Sequence, residues 1–242
     1  MGRTAAVGYK YTFQGGRPYN EDTCGLFSNG ENYTAIVADG LGGHGGGKQA
    51  SEIAVQFLSA CGANGNLPEA AEIEACMRAI NEEIYKRREN KNHMKTTAVY
   101  LCIHGDTAIW AHIGDSRLYH FVNGRLCDYT LDHSVSQVAV AMGEITRDQI
   151  PGHPDRSRVL RVLGDDELQP EIHEPVRLER GRHAFLLCTD GFWESVREDE
   201  MQLDLYKSNS PGEWVDAMCH RLLLRMDEKH DNNTAVAVFA DC

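Results

Sequence analysis

The sequence predicts an α+β fold, a β-sandwich of two mainly antiparallel sheets flanked by pairs of helices. One observation is a run of four short strands separated by glycine-containing turns, at 97–104, 107–113, 117–122 and 125–129. Asn123-Gly124 joins the last two strands, and this dipeptide is typical of a two-residue hairpin, so the strands run antiparallel. The other observation is helical spacing of apolar residues in three segments, 47–61, 68–88 and 211–228.

The other predicted elements follow from local patterns in the sequence. Residues 6–11 alternate in polarity as a strand does, and the apolar run at 33–38 predicts a strand buried on both faces. The helix at 68–88 opens on Pro68 and carries basic residues in its last turn. The pattern is completed by a short helix at 134–142 and by strands at 171–178, 184–188 and 234–239.

Composition excludes several classes of protein. The 242 residues carry 24 basic and 36 acidic side chains, a formal net charge of −12, whereas nucleic-acid binding needs clustered Lys and Arg. No apolar run approaches the roughly 20 residues of a membrane helix, and residues 1–10 lack the apolar core of a signal peptide. Without a linker or repeat, we expect one domain over residues 1–242 in a monomeric, cytoplasmic protein. The eight cysteines lack metal-type spacing and are predicted to be small buried residues.

Four aspartates share a position in the predicted fold. Asp39, Asp115, Asp190 and Asp231 each lie beside an apolar strand, at a turn. A single Asp-Gly pair would be explained by turn chemistry alone. Four such residues at strand ends can converge at one edge, where their carboxylates repel one another unless cations lie between them. Hard oxygen ligands favour Mg²⁺ or Mn²⁺ over zinc.

A second segment adds the means to bind a phosphoryl group. Arg17-Pro18-Tyr19-Asn20-Glu21-Asp22 contains two further carboxylates, and the planar guanidinium of Arg17 suits bidentate contact with phosphate. Metals and one arginine together are typical of a site for a phosphoryl group.

These motifs resemble, in order and over most of the chain, the metal-dependent protein phosphatases of the 2C type in their bacterial stand-alone form. The matching segments are Arg17-x-x-Asn20-Glu21-Asp22, Val37-Ala38-Asp39-Gly40-Leu41-Gly42-Gly43-His44, Thr96-Thr97-Ala98, Gly114-Asp115-Ser116-Arg117, Asp132-His133-Ser134, Cys188-Thr189-Asp190-Gly191 and Asp231-Asn232-Asn233-Thr234. Any one of these motifs is weak, but seven in register are specific.

The resemblance implies a two-metal site at one end of the sandwich. Asp39 would bridge two tightly bound Mn²⁺ or Mg²⁺ ions, the carbonyl of Gly40 would bind one of them, and Asp190 and Asp231 would complete the sphere of the other. Asp115, with Asp190, matches a third and weaker metal site.

The resemblance also assigns the residues around the metals. Glu21, Asp22 and Asn232 would act largely through bound waters, and Arg17 would hold the substrate phosphate. Residues 132–166 resemble a mobile flap over the site.

The implied activity is hydrolysis of phosphoserine and phosphothreonine in proteins by a water that bridges the two metals, which loses a proton near neutral pH. Arg17, Asp39 and Asp190 would be the catalytic residues. The substrates would be phosphorylated proteins, with a cognate serine/threonine kinase as a further partner.

Some positions depart from the family pattern. Leu41 stands where the eukaryotic branch has a histidine, so the proton for the leaving group must come from a metal-bound water or from another residue, of which His44 is the nearest candidate. Lys48 replaces a common acidic residue and is expected to be a solvated cation near a helix N-terminus. The usual Arg-Asn pair of the flap is Arg156-Ser157.

The residues leave two alternative functions open. Gly42-x-x-x-x-Gly47-Lys48-Gln49 nearly matches a P-loop, which would indicate an NTPase, but Gln49 stands where Ser or Thr must bind Mg²⁺. Antiparallel strands after residue 97 also disagree with a parallel sheet. The other alternative is a catalytically silent phosphopeptide-binding module of the same fold, against which the complete set of Asp39, Asp190 and Asp231 argues.

Overall fold

The computed structural model describes residues 5–30, 32–42, 45–88 and 94–242. The strands are β1 (Ala5–Phe13), β2 (Thr23–Ser28), β3 (Asn32–Ala38), β4 (Gly40–Leu41), β5 (Lys95–Thr96), β6 (Ala98–His104), β7 (Thr107–Ile113), β8 (Arg117–Val122), β9 (Arg125–Tyr129), β10 (Glu171–Ile172), β11 (Val176–Arg177), β12 (Arg182–Cys188) and β13 (Asn233–Asp241). The helices are α1 (Gly46–Cys61), α2 (Ala70–Arg87), α3 (Val135–Ala141), α4 (Asp190–Trp193), α5 (Glu198–Lys207) and α6 (Pro211–Leu223).

Two antiparallel sheets form the centre of the fold. The first has the strand order β1-β13-β12-β8-β9 and the second β10-β7-β6-β3-β2, with β11 also paired to β7. Their inner faces share one apolar core, to which the second sheet contributes Val37 and Leu101 and the first sheet Phe185 and Val238. The predicted sandwich is therefore confirmed, including a strand at 32–38 whose alternate residues are buried on both faces.

Helices cover both outer faces. α1 and α2 pack on the second sheet through residues such as Leu58 and Ile80, which lie in one core with Ile36 of β3. α5 and α6 pack on the first sheet, where Trp214 lies in one core with Phe121 and Phe239. Each sheet therefore has one face toward the other sheet and one toward a helix pair, in helix–sheet–sheet–helix layers.

Several predicted boundaries were wrong. The helix predicted to reach residue 228 ends at Leu223, and the side chain of Arg225 beyond it donates to the carbonyl of Ser195 at 2.6 Å and to Glu200 at 2.6 and 2.7 Å. The strand predicted at 171–178 is split into β10 and β11 around Pro175, which has no N–H to donate to a ladder. The helix predicted from Pro68 begins at Ala70, after a capping box centred on Glu69.

The sequence did not predict β2, α5 or the short elements β4, β5 and α4. β2 is an edge strand interrupted by Gly25, which weakens its alternating pattern. α5 carries three acidic residues in its first turn, at 198–200, and Lys207 in its last, which is a recognisable helix signal.

The eight cysteines are free thiols, three of them buried, whereas Cys127 is exposed against expectation. Within the described ranges, no helix has both the length and the apolar character that crossing a bilayer requires.

Candidate active site

Four strand ends meet at one end of the sandwich. β3 and β7 run toward it in the second sheet, because both are antiparallel to β6 between them. In the first sheet β12 ends there and its antiparallel neighbour β13 begins there. Asp39, Asp115, Asp190 and Asp231 occupy these ends and line one cavity of about 570 Å³. The topology thus brings together carboxylates that are up to 192 residues apart in sequence, 231 minus 39.

Most of the other predicted site residues lie in the same cavity. Its lining includes Arg17, Glu21, Gly40 and Asn232. Asp22 is buried beside it, 2 % exposed, just before the start of β2. His44, the candidate general acid, lies outside the described residues.

A close backbone contact fixes the turn after β3. A Cβ added at Gly40 would lie 2.2 Å from the carbonyl oxygen of Gly47 in the first turn of α1, and 2.6 Å from that of Glu21. Glycine is therefore required at Gly40 so that the helix start, the Glu21 segment and the turn can approach one another. The glycines of this motif serve close packing as well as turn formation.

The backbone of Asp39 is held by two threonines of the β5–β6 segment. The amide of Asp39 donates to Thr97 Oγ1 at 3.0 Å, and its carbonyl accepts from the Thr97 amide at 2.9 Å and from Thr96 Oγ1 at 2.8 Å. Both threonines are completely buried. These contacts satisfy the backbone of Asp39 and leave its carboxylate available to the cavity.

The buried aspartates of the cluster need nearby positive charge to be stable in their ionised form. Burial, followed by repulsion from neighbouring carboxylates, raises the pKa of Asp39 and of Asp115 well above the ordinary range. Burial raises the pKa of Asp22 to about 7, with Asp190 and Asp231 adding to the shift. Asp190 has its pKa raised to about 6, first by burial and then by Asp231. In the absence of cations these shifts favour the protonated forms of the carboxyl groups.

Two buried carboxylate oxygens have no hydrogen-bond partner among the described residues. They are Glu21 Oε1 and Asp22 Oδ1. The other oxygen of Asp22 accepts from Thr189 Oγ1 at 3.0 Å, so its carboxylate is fixed in orientation. A buried oxygen without a donor is costly unless an ion or water satisfies it. The donor set, entirely carboxylate and carbonyl oxygen, fits Mg²⁺ or Mn²⁺.

Arg17 lies at the mouth of the cavity, where its Nη2 is 2.6 Å from Asp231 Oδ2. Its side chain is 53 % exposed, so the guanidinium is open to a ligand from solvent. Hydrogen bonding to Asp231, with added attraction to Asp190 and Asp39, raises the pKa of Arg17 further above its usual range.

Asn232 holds the loop that carries Arg17. Its Nδ2 donates to the carbonyls of Gln14 at 2.7 Å and Tyr19 at 2.9 Å, and its Oδ1 accepts from the Glu21 amide at 2.8 Å. Three backbone contacts therefore position both Arg17 and Glu21. The expected action of Asn232 through metal-bound waters stays a prediction.

The segment 132–166 reaches the cavity from the other side. Ser157, one of the departures from the family pattern, lines the cavity together with Val159. Arg156 Nε lies 3.3 Å from Glu194 Oε2, which joins the segment to the end of α4. At its start, Asp132 accepts two 2.7 Å hydrogen bonds from the buried Arg117. The segment is thus tied to the sheet at its base and borders the site at its middle.

Two side chains hold the backbone around Asp115. Trp193 Nε1 donates to the Asp115 carbonyl at 2.9 Å, and the amide of Gly114 donates to His133 Nδ1 at 3.1 Å. The carboxylate of Asp115 therefore projects from an anchored turn.

Lys48 was expected to be a solvated cation, and this prediction was wrong. Its Nζ donates to the carbonyl of Asp22 at 2.8 Å and lies 3.0 Å from Thr23 Oγ1. This geometry also disagrees with a P-loop, in which the lysine would turn toward its own glycine loop. Moreover, β3 is antiparallel to both of its neighbours, so the parallel sheet of a P-loop protein is absent around this strand.

A histidine cluster that the sequence analysis missed lies at the base of the segment 132–166. His112, His133 and Glu171 place one potential ligand atom each within 4.8 Å of the others. Because His133 Nδ1 accepts from the Gly114 amide, the neutral ring carries its hydrogen on Nε2 and offers no lone pair there. His112 Nε2 donates to the Leu131 carbonyl at 2.7 Å. The cluster is consequently a poor metal site.

Fold and site together define a layered sandwich with an acidic, metal-type site at one end. The family model for protein phosphatase 2C matches residues 14–223. The chain is 37 % identical to the serine/threonine phosphatase stp of Listeria welshimeri in an alignment of 201 residues that covers 79 % of each chain. The chain therefore belongs to the protein phosphatase 2C family.

Solved structures agree with this assignment. The serine/threonine phosphatase Stp1 from Staphylococcus aureus superposes with a TM-score of 0.84 at 26 % identity, covering 99 % of this chain and 96 % of that one. The Mycobacterium tuberculosis phosphatase PstP/Ppp gives a TM-score of 0.82 at 26 % identity, covering 98 % of both chains. A further PstP structure, of its catalytic domain in complex with two manganese ions, has a TM-score of 0.83 at 24 % identity and supports the fold.

Proposed function

We propose that this protein is a metal-dependent phosphatase that hydrolyses phosphoserine and phosphothreonine in other proteins. The observation that carries the proposal is the convergence of Asp39, Asp115, Asp190 and Asp231 in one cavity whose mouth holds Arg17. Relatives named serine/threonine phosphatases, with 30 % identity or more over two thirds of the chain, support the same activity.

The acidic residues are assigned to divalent cations, Mn²⁺ or Mg²⁺. Asp39 and the carbonyl of Gly40 would hold one, and Asp39 with Asp190 and Asp231 would hold the other. The unsatisfied oxygens of Glu21 and Asp22 would accept hydrogen bonds from waters bound to these cations. Bound cations supply a hydroxide-like nucleophile at neutral pH and neutralise phosphoryl charge.

A third, weaker cation site is assigned to Asp115 and Asp190. Asp115 is 4 % exposed, has a raised pKa and borders the same cavity.

Arg17 is assigned to the substrate phosphate. Its guanidinium carries two parallel donor pairs, which match two phosphoryl oxygens and stabilise the charge that develops on them. Because Asn232 holds the loop on both sides of Arg17, the backbone that carries these donors is fixed before substrate binds, which reduces the ordering cost.

Residues 1–242 are assigned to one catalytic domain with a flap at 132–166 beside the cavity. Ser157 and Val159 of this flap touch the space that a phosphorylated side chain enters. A cognate kinase, a monomeric state and a cytoplasmic location stay predictions from the sequence.

The function is tested by turnover of an aryl phosphate and of matched phosphothreonine and phosphotyrosine peptides, with Mn²⁺ and with excess chelator. We expect Mn²⁺-dependent release of phosphate from the aryl ester and the phosphothreonine peptide, and its loss with chelator. Binding of the phosphothreonine peptide without turnover would instead support the silent binding module.

A further inference from the structure

The first turn of α1 carries a half-buried ammonium group that the metal-site assignment leaves without a role. A lysine at a helix N-terminus is opposed by the helix dipole. Lys48 nevertheless directs its Nζ to protein acceptors, the Asp22 carbonyl at 2.8 Å and Thr23 Oγ1 at 3.0 Å, while Glu52 at 3.9 Å gives only a distant ion pair.

Ser51, one turn further along α1, binds the same segment, residues 21–23. Its Oγ donates to the Glu21 carbonyl at 2.6 Å and lies 2.7 Å from Thr23 Oγ1. Ser51 is completely buried. A single helical turn thus binds three consecutive residues, 21–23, through two side chains.

The segment held in this way carries the two carboxylates with unsatisfied buried oxygens, Glu21 Oε1 and Asp22 Oδ1. The Asp22 side chain leaves the backbone between the carbonyls that Ser51 and Lys48 hold, and the Glu21 side chain leaves it directly before them, so these contacts restrain the direction of both carboxylates. The same helix start packs Gly47 against Gly40, next to Asp39. The first turn of α1 therefore contacts both the segment that carries Glu21 and Asp22 and the turn that follows Asp39.

We propose that Lys48 is a positioning residue which holds Glu21 and Asp22 in the geometry that divalent cations require. The proposal rests on the proposed metal-dependent function and adds a residue of α1 that supplies no metal ligand itself.

The test is the affinity for Mn²⁺, measured by calorimetry on the full chain, for the wild type and Lys48→Met. Methionine keeps the length of the side chain and removes the donor. We expect Mn²⁺ binding weaker by about 10-fold, the lower end for residues that orient metal ligands, with activity recovering at saturating Mn²⁺. Lys48→Arg, which can still donate to a carbonyl, should restore most of the affinity.

Lys10→Met is the matched control, because Lys10 borders the same surface hollow as Lys48. It should leave Mn²⁺ affinity unchanged. Circular dichroism and melting of the apoproteins check folding, and Lys48→Gln, which keeps a donor of shorter reach, is the second variant should Lys48→Met not fold.

Unchanged Mn²⁺ affinity in Lys48→Met, or an equal loss in Lys10→Met, would overturn the positioning role. A wild type that binds Mn²⁺ tightly but does not hydrolyse phosphopeptides would overturn the proposed function and leave the role of Lys48 intact. A wild type that binds no Mn²⁺ would overturn both.

Discussion

Arg17 and Asp231 form an ion pair of 2.6 Å across the mouth of the acidic cavity. Each has a different assigned partner, the substrate phosphate for Arg17 and a divalent cation for Asp231. Their side chains are 53 % and 39 % exposed, and solvent screens a pair of this kind strongly. The contact can therefore be exchanged for the assigned ligands, and it makes binding of metal and of phosphate interdependent.

Replacing Arg17 should separate substrate binding from metal binding. In Arg17→Ala the phosphate loses its bidentate partner in both ground and transition state, so KM should rise and kcat should fall. Affinity for Mn²⁺ should hold or increase, because Asp231 loses a competing cation. Steady-state kinetics on a phosphothreonine peptide and calorimetry with Mn²⁺ measure the two effects.

Arg17→Lys is the control for charge without the planar fork, and it should rescue only part of kcat/KM. Full rescue by lysine, or weaker Mn²⁺ binding in Arg17→Ala, would contradict the assignment of Arg17 to phosphate.

Single replacement of Asp39, Asp190 or Asp231 by Ala should remove nearly all activity. Each change deletes a carboxylate assigned to direct contact with a cation, and with it the means of generating the nucleophile. The rate at saturating Mn²⁺ is the measurement, with melting of the apoprotein as the folding control. Any of the three variants that keeps more than about a tenth of the wild-type rate would refute the role of that residue.

Mn²⁺ binding should release protons near neutral pH. The pKa of Asp22 is about 7 and that of Asp190 about 6, both raised chiefly by burial, and cations bind the deprotonated carboxylates. Apparent Mn²⁺ affinity should therefore rise with pH between about 6 and 7. Calorimetry at pH 6.5 in two buffers of different ionisation enthalpy counts the protons, and Asp22→Asn should release fewer. Affinity independent of pH would show that the carboxylates are already ionised.

The fold should lose stability in mild acid because of His120, far from the cavity. Its ring stacks on Phe185 at 4.4 Å and its Nε2 donates to His183 Nδ1 at 3.0 Å, since His183 Nε2 donates to the Glu179 carbonyl. Burial lowers the pKa of His120 to about 4, against about 6.5 unfolded, so its contribution is complete above about pH 6.5 and is lost as pH falls toward 4.

The difference between the folded and unfolded pKa of His120 lowers the free energy of unfolding by about 2 kcal/mol at pH 5. His120→Gln keeps a donor to His183 and does not titrate. Urea unfolding at pH 7 and pH 5 should therefore show a smaller loss of unfolding free energy in the variant. An equal loss in both proteins would assign the acid sensitivity to other groups.

Much of the fold and the acidic cluster was predictable because the signals are local. Asn123-Gly124 determines a hairpin, and an apolar strand that runs into Asp-Gly places a carboxylate at a sheet edge regardless of the strand order. The convergence of Asp39 and Asp231 needed only the inference that these edges coincide. β2 escaped notice because its Gly25 interrupts the alternation on which strand prediction depends.

Contacts between segments far apart in the chain could not be predicted from the sequence. Nothing local to Lys48 indicates that its ammonium meets a carbonyl 26 residues away, and the intrinsic preference of its position suggested solvent instead. The pairing of Arg17 with Asp231 spans 214 residues. The His112–His133 stack depends on the docking of the segment 132–166 against β7. Such contacts are set by tertiary packing, which overrides local preference.

Anomalous diffraction from crystals grown with Mn²⁺ tests the central claim most directly. The account predicts two strong peaks in the cavity, one beside Asp39 and the Gly40 carbonyl and the other between Asp39, Asp190 and Asp231. Absence of ordered Mn²⁺ among these aspartates, or a peak only at His112 and Glu171, would contradict it.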